Sequence, residues 1–186
     1  MSSVKEALRR GALNQRAALT PEERKQKSCA AVQHLLQAPI FQASRTVATY
    51  FPLKTELAVD SLLCTATDQT RRFVAPRALP NKQMAFYQVT SNSSLEPGFG
   101  NILQPAATAP QVDVEEIDLF LVPLAACDHH GNRLGFGGGF YDRTLQKQRG
   151  FKLGVGFYLQ LVTQIESEPH DVPLDGFISE NGILHF

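Results

Sequence analysis

The sequence has no excess of charge of either sign and no long apolar run. Its 18 lysines and arginines balance its 18 aspartates and glutamates, so no overall field draws the chain to nucleic acid or to an acidic membrane. No segment approaches the roughly 18 consecutive apolar residues that would span a bilayer, and the first residues lack the apolar core of a secretory signal. We therefore expect a cytoplasmic protein that binds neither nucleic acid nor membrane.

Cysteine is also scarce. Cys29, Cys64 and Cys127 are far apart, form no CxxC pair and are odd in number. This pattern argues against a disulfide framework and against a zinc knuckle. The sequence therefore predicts three buried free thiols.

A length of 186 residues with 43% hydrophobic content suits one core and is short for two, so we expect one domain over residues 1–186. The domain is predicted to open with a helical pair over about residues 4–37. The second helix starts near Pro21, because Thr20 offers a capping hydroxyl and Glu23 can bond back to the cap amide. Val4–Leu19 also has a helical pattern.

Alternating strand and helix patterns follow over about residues 45–186. Val59, Leu62, Leu63 and Ala66 fall on one face of a helix. The segments rich in β-branched, aromatic or apolar residues are 46–51, 72–75, 84–89, 119–125 and 152–158. They predict an α/β fold: a three-layer domain with a mostly parallel sheet, helices on both faces and a ligand site at the carboxyl ends of the strands. Residues 84–89 form an antiparallel addition in this scheme, and residues 90–112 a functional or surface-wrapping loop.

A glycine-rich loop follows the most apolar strand and precedes a helix predicted over about residues 141–148. Strand, glycine-rich loop and helix together aim backbone amides and a positive helix end at an anion, although a plain tight turn explains the glycines equally well. Neither GxxxxGK[ST] nor a strand-GxGxxG-helix unit is present, which excludes a P-loop and argues against a dinucleotide fold. Arg133 before the loop suits phosphate, and Asp142 after it suits Mg²⁺.

The loop and its flanks, Asn132 to Asp142 with the sequence NRLGFGGGFYD, resemble the signature of the 5-formyltetrahydrofolate cyclo-ligase family, NRLG followed by GxGYYD or a close variant. The resemblance extends over nearly the whole chain. The other positions that resemble the family pattern are Lys5, Leu8, Arg9, Leu13, Arg16, Leu19, Glu56, Pro76-Arg77, Asp171 and Asp175.

The resemblance implies an enzyme that uses ATP and Mg²⁺ to cyclise 5-formyltetrahydrofolate, with or without a polyglutamate tail, to 5,10-methenyltetrahydrofolate. The formyl oxygen would attack the γ-phosphate, N10 would add to the resulting iminium phosphate, and phosphate would leave. Such a reaction needs no covalent enzyme intermediate, so the cysteines have no catalytic task and His129-His130 is expected to be exposed in a turn. We expect the enzyme to act as a monomer.

The family also implies roles for individual residues. The nucleotide would be bound by Lys5, Arg9, Arg133, Leu134, Gly135, Phe136, Gly137, Gly138, Gly139, Phe140 and Tyr141. The folate would be bound by Phe51, Glu56, Phe136, Gly137, Gly138, Gly139 and Phe140. Arg133 and Tyr141 would serve catalysis, and Asp142 and Asp171 would hold Mg²⁺.

Without the resemblance, simpler interpretations remain for the same residues. Lys5 and Arg9, four apart on one helix face, resemble a solvated charge pair, and Glu56 an ordinary surface glutamate. Phe51 fits core packing, Asp142 fits a helix N-terminus and Asp171 fits a turn.

Two positions depart from the family pattern: Gly138 stands where a lysine is frequent, and Phe140 where a tyrosine is. They support one alternative, a folate-binding or folate-buffering protein without turnover. A second alternative is a relative that acts on a sugar phosphate as an isomerase, because the glycine-rich loop by itself suits any phosphate.

Overall fold

The computed structural model describes residues 3–65 and 71–186. Over these residues the α-helices are α1 Ser3–Ala18, α2 Pro21–Gln37, α3 Pro39–Ala43, α4 Leu62–Thr65 and α5 Phe140–Leu145. The predicted helical pair is confirmed as α1 and α2. Its capping box is present, because Glu23 N donates to Thr20 Oγ1 at 3.2 Å and Thr20 N donates to Glu23 Oε2 at 2.7 Å. None of the helices described combines the length and the apolar composition needed to cross a bilayer.

The strands of the described residues are β1 Thr46–Ala48, β2 Arg72–Ala78, β3 Met84–Val89, β4 Leu95–Pro97, β5 Leu103–Pro105, β6 Gln111–Val112, β7 Leu119–Pro123, β8 Ala126–Asp128, β9 Arg133–Leu134, β10 Phe151–Val155, β11 Leu161–Val162, β12 Gly176–Ser179 and β13 Gly182–His185. Eight of them form one sheet in the order β13-β12-β10-β7-β1-β2-β3-β6. The five strands from β12 to β2 pair in parallel, and β13, β3 and β6 pair antiparallel. The mostly parallel α/β sheet is therefore confirmed, as is the antiparallel strand at 84–89.

Helices cover both faces of this sheet. Leu119 and Leu121 of β7 join the apolar cluster that contains Leu35 of α2 and Phe41 of α3. The intervening residues Phe120 and Val122 belong instead to the cluster with Leu145 of α5. The continuous apolar run of this strand thus fills two cores, as a strand between two helical layers requires.

Two smaller sheets lie beside the main one. β8 pairs antiparallel with β9 and parallel with β11, and β4 and β5 form a separate hairpin. Helix α1 packs on the β8–β9 pair, since Ala12 contacts a small cluster that includes Ala126, Leu134 and Ile165. The first helix is therefore attached to the segment that leads into the glycine-rich loop.

Several element boundaries differ from the prediction. β1 ends at Ala48, so the next residues, including Tyr50 and Phe51, leave the sheet. The Pro76-Arg77 step, expected after a strand, lies within β2. The helix predicted from Val59 begins only at Leu62, and Ala66 lies outside the described residues.

Some elements and environments were missed. Residues 90–112 contain the β4–β5 hairpin and β6, and the closing pair β12–β13 was not predicted. The expectation of three buried thiols is wrong for Cys29 and Cys64, which are exposed, whereas Cys127 is buried. The His129-His130 pair is exposed in a turn, as expected.

Candidate functional site

A cleft opens where the parallel strands end, lined by Pro76 and Ala78 of β2 and by Pro123 of β7. The cavity has a volume of about 210 Å³ and opens to solvent at its mouth. The predicted site residues that line it are Phe51, Glu56, Arg133, Gly135, Phe136, Gly138, Gly139, Phe140, Tyr141 and Asp142. The structure therefore brings most of the sequence-predicted residues to one cleft.

The turn before the glycine-rich loop is built around the fully buried Asp128. Its carboxylate accepts hydrogen bonds from the backbone N–H groups of His130, Asn132 and Ile165, at 2.9 to 3.0 Å, and from the Asn132 side chain at 3.0 Å. Burial alone would raise the pKa of Asp128, but these hydrogen bonds outweigh it and hold the pKa below its usual value. The charged carboxylate thus fixes the approach to Arg133.

Replacing Asp128 by alanine is expected to lower the free energy of unfolding by about 2 to 4 kcal/mol, because four donors lose their acceptor. Asp128→Asn keeps one acceptor oxygen and should lose less. Because the folded-state pKa is lowered, the stabilisation is complete above the ordinary pKa of about 3.9 and disappears as pH falls below it. Urea unfolding at several pH values measures this, and an alanine variant as stable as the wild type would contradict it.

Glycine is required inside the loop itself. Gly137 and Gly139 have φ angles of 88° and 67°, in the left-handed region that side chains disfavour. Gly138 has no such angle, but a Cβ there would lie 2.7 Å from the Phe140 ring. A glycine at 138 therefore fits the local position of the aromatic ring.

Arg133 and Asp142 form an ion pair across the loop. Arg133 Nη2 lies 2.5 Å from Asp142 Oδ1, and Arg133 Nη1 donates to the Val172 carbonyl oxygen. The backbone N–H of Val172 in turn donates to Asp142 Oδ1 at 3.3 Å. Arg133 is almost fully buried, so this pair attaches the loop to the segment that carries Asp171.

Lys5 and Arg9 are buried, so the interpretation of a solvated charge pair is wrong. Lys5 Nζ lies 3.0 Å from Glu168 Oε1 and 3.1 Å from Asp171 Oδ2. Burial alone would lower the pKa of Lys5, but the two carboxylates outweigh it and raise the pKa. Arg9 Nε donates to the Gly135 carbonyl oxygen at 2.8 Å. Neither side chain lines the cleft, and both fasten α1 to the segments around it.

Glu56 is also buried, so the surface interpretation is wrong. Its Oε2 accepts a hydrogen bond from the backbone N–H of Leu53 at 2.8 Å, and its Oε1 lies 3.8 Å from Arg16 Nη1. Burial raises the pKa of Glu56, only partly opposed by that hydrogen bond and by Arg16. Such a carboxylate at the wall of an apolar cleft is suited to accept N–H groups from a flat heterocycle.

Two tyrosines face the same region. Tyr50 donates to the Leu57 carbonyl oxygen at 2.6 Å, and burial raises its pKa. Burial also raises the pKa of Tyr141, followed by the nearby charge of Glu56 and opposed by Arg133. Both phenols are therefore neutral at physiological pH. Tyr50 already donates its proton to Leu57, whereas Tyr141 can donate to a ligand.

The two carboxylates predicted to hold Mg²⁺ lie in neighbouring segments. The described hydrogen bonds of each fall on one oxygen, Oδ1 of Asp142 and Oδ2 of Asp171. One or two carboxylates with phosphate oxygens and waters are the usual Mg²⁺ ligands, so the donor set fits the ion. In residues 3–65 and 71–186 no group of three or more acidic, histidine or cysteine residues could hold a metal alone. The arrangement thus suits a metal that arrives with phosphate.

Ten residues of the cleft were not predicted from the sequence: Tyr50, Leu53, Pro76, Ala78, Met84, Phe99, Ile102, Leu103, Gln104 and Pro123. Several belong to the β4–β5 hairpin, whose tip exposes two-thirds of Phe99. The Phe99 and Phe140 rings have centroids 5.3 Å apart, so the hairpin reaches the glycine-rich loop. The sequence feature that could have predicted this contact is Phe99 itself, an apolar residue between two glycines in a long internal loop.

Comparison with known proteins identifies relatives over almost the full length. The model of the 5-formyltetrahydrofolate cyclo-ligase family matches residues 1–180. A 5-formyltetrahydrofolate cyclo-ligase of Haemophilus influenzae is 30% identical, covering 86% of this chain and 88% of its own length. That of Escherichia coli K12 is 29% identical, covering 90% and 96%. The NMR structure of Aquifex aeolicus 5,10-methenyltetrahydrofolate synthetase superposes with a TM-score of 0.87 at 31% identity, covering 98% of this chain and 92% of that one.

Proposed function

The chain belongs to the 5-formyltetrahydrofolate cyclo-ligase family and is a ligase, and we propose that it uses Mg-ATP to convert 5-formyltetrahydrofolate into 5,10-methenyltetrahydrofolate, releasing ADP and phosphate. One observation supports this most strongly. A single cleft joins an apolar slot that contains the buried Glu56 carboxylate to the glycine-rich loop, which is flanked by Arg133 and Asp142. A heterocycle and a nucleoside triphosphate can therefore meet there.

The chemistry explains why ATP is needed. The formyl group on N5 is amide-like, and attack by N10 cannot expel its oxygen as hydroxide or oxide at a useful rate. In the proposed reaction the formyl oxygen attacks the γ-phosphorus, and ADP leaves. N10 then adds to the carbon of the iminium phosphate and loses its proton to solvent, and the original formyl oxygen departs within the phosphate as the methenyl bridge forms. The enzyme's contribution is positioning and charge stabilisation.

Each group of residues has a task in this proposal. Glu56 accepts N–H groups of the pterin, and Phe51 forms an apolar wall beside it. The guanidinium of Arg133 has five N–H donors, more than its two described partners use, and can reach the phosphoryl oxygens while holding Asp142. The loop from Leu134 to Tyr141 supplies backbone donors, and Lys5 and Arg9 add positive charge beside it.

Asp142 and Asp171 are the residues that would hold Mg²⁺. The ion supplies neutralisation of the phosphate charge when it is bound. Without it, each aspartate is paired with a cation of the protein, Asp142 with Arg133 and Asp171 with Lys5. Binding of a phosphate chain with its metal thus allows the two cations and the two carboxylates to exchange partners without leaving any buried charge alone.

Turnover tests the proposal directly. Purified protein with 5-formyltetrahydrofolate and Mg-ATP is expected to form the methenyl product, followed by its near-ultraviolet absorbance, with ADP and phosphate in equal amounts. The folate-buffering alternative rests on the Gly138 and Phe140 departures and predicts folate binding without ADP release. The sugar-phosphate alternative predicts activity without ATP, and family membership leaves it without support.

Replacing Glu56 by glutamine is expected to weaken binding of 5-formyltetrahydrofolate at least about tenfold while changing ATP affinity less than about twofold, because only the folate loses a charge-assisted contact. Folate affinity of the wild type should decline on acidification at a higher pH than an ordinary glutamate would give, because burial raises the Glu56 pKa. Isothermal titration calorimetry at several pH values measures both effects.

The exposed Glu115→Gln serves as the control for that variant. Equal losses for both ligands in Glu56→Gln would place Glu56 away from the pterin.

A cytoplasmic location, a monomeric state and use of polyglutamylated folate also remain proposals. Size-exclusion chromatography with light scattering and a comparison of mono- and polyglutamate substrates test the last two.

A further inference from the structure

Arg16, near the end of α1, is a buried arginine whose sequence context indicates no role beyond its resemblance to the family's first helix. It is only 4% exposed. Its Nη2 donates to Thr55 Oγ1 at 3.1 Å, and its Nη1 donates to the Leu124 carbonyl oxygen at 3.4 Å. The same Nη1 lies 3.8 Å from Glu56 Oε1, and the guanidinium carbon lies 5.5 Å from the centre of the Phe136 ring. Arg16 thus contacts three segments that meet at the cleft.

We propose that Arg16 is a positioning residue for folate recognition, which keeps the Glu56 carboxylate charged and directed into the cleft and holds the Phe136 ring beside it. The inference rests on the proposed function, because it assigns Glu56 to the folate. It adds a residue that neither lines the cleft nor contacts the ligand. Arg16 acts through the two residues that do.

The geometry indicates that this pair does not serve stability. A separation of 3.8 Å is too long for a hydrogen bond. The attraction between the two charges therefore offsets only part of the free energy that it costs to remove both from water. In the described part of the chain, Arg16 Nε is buried without any hydrogen-bond partner. Burial lowers the pKa of Arg16 and raises that of Glu56, so the folded protein disfavours the charged form of both groups. A pair that costs stability on both sides fits a functional role.

The geometry also leaves Glu56 able to accept from a ligand. Its Oε2 accepts from Leu53, whereas its Oε1 receives only the long contact from Arg16 among the described residues. Oε1 can therefore accept an N–H of the heterocycle while Arg16 balances its charge. Among the described residues, the phenols of Tyr50 and Tyr141 also interact with this carboxylate, and both are neutral. Arg16 is thus the cation among these groups.

A double-mutant cycle tests the inference. Arg16→Met is expected to weaken 5-formyltetrahydrofolate binding about tenfold and to change ATP binding less than about twofold. In the Glu56→Gln background the same substitution should have little further effect, because the charge that Arg16 holds is gone. Arg16→Lys should recover only part of the loss, since an ammonium does not reproduce the planar contacts. The exposed Arg10→Met on the same helix is the matched control and should bind both ligands normally.

Two further measurements separate positioning from plain structural support. The Glu56 side-chain carboxyl carbon, followed by NMR without ligand, should titrate at a higher pH in Arg16→Met than in the wild type. The double variant Arg16→Met/Glu56→Gln should melt no lower than Arg16→Met alone, because it buries neither charge. If Arg16→Met by itself fails to fold, Arg16→Lys measured with and without Glu56→Gln completes the same cycle.

The inference about Arg16 and the proposed function are contradicted by different results. An unchanged Glu56 titration, or an equal loss of folate affinity with and without Glu56, would show that Arg16 is merely structural and overturn the inference. A wild-type protein that binds no 5-formyltetrahydrofolate would instead overturn the proposed function, whatever the NMR titration shows.

Discussion

Replacing Arg133 by alanine is expected to lower kcat by about two to three orders of magnitude, the loss seen when a charge-stabilising group is removed from a transition state. The side chain of Arg133 is almost fully buried at the cleft wall and held by Asp142 and Val172, so its guanidinium is already oriented before any ligand binds. Arg133→Lys should recover little, because a single ammonium cannot contact Asp142 and a phosphoryl oxygen with the same fork geometry.

Steady-state kinetics with folate and ATP varied separately measure this effect. Lys147→Ala, an exposed cation just beyond α5, is the control and should behave like the wild type. The melting temperature of Arg133→Ala should also be recorded, because the variant leaves the Val172 carbonyl without its donor. An alanine variant that keeps wild-type kcat would remove the glycine-rich loop from the catalytic assignment.

The second large effect concerns the metal. Asp142→Asn and Asp171→Asn are each expected to raise the Mg²⁺ concentration for half-maximal activity about tenfold or more, because an amide is a poorer ligand for a hard cation than a carboxylate. Folate affinity without metal should stay nearly unchanged. ATP affinity without metal should hold or rise, since Asp142→Asn releases Arg133 from its carboxylate partner and Asp171→Asn leaves Lys5 with one carboxylate, Glu168, in place of two.

Asp60→Asn, an exposed aspartate far in sequence from both, is the control and should leave the Mg²⁺ dependence unmoved. Initial rates over a range of Mg²⁺ at saturating ATP give the comparison. If the three variants respond alike, Asp142 and Asp171 are structural, and the metal is held by the nucleotide alone.

Sequence patterns predicted the elements whose signals are local. The capping residues Thr20 and Glu23 predicted the start of α2, and the apolar segment 119–125 predicted a strand of a sheet with helices on both faces, observed as β7. The closing pair β12–β13 escaped prediction because β13 lies at a sheet edge and is half exposed, so apolar and polar side chains do not alternate clearly along it. β12 is buried but has only four residues, and so short a run does not by itself distinguish a strand from other structure.

The site shows the same division. The glycine-rich loop and Arg133 were visible in the sequence because a cluster of glycines directly after an apolar strand is a local pattern that indicates an anion-binding loop. The burial of Lys5, Arg9 and Glu56 could not be predicted from the sequence, because charged residues of the same type occur both on surfaces and in buried ion pairs. Arg16 and the hairpin tip at Phe99 were missed as parts of the site because their contacts join segments far apart in the chain.

The close fit of Gly138 against Phe140 has an evolutionary consequence. Any side chain introduced at 138 would begin 2.7 Å from the Phe140 ring, so this ring, whose centroid lies 5.3 Å from that of Phe99, would have to move. A lysine at 138 would therefore disturb the present contact between the hairpin and the loop. Mutations at 99, 138 and 140 are therefore expected to be epistatic, so that a lineage gaining the lysine must first, or at once, change how the hairpin meets the loop.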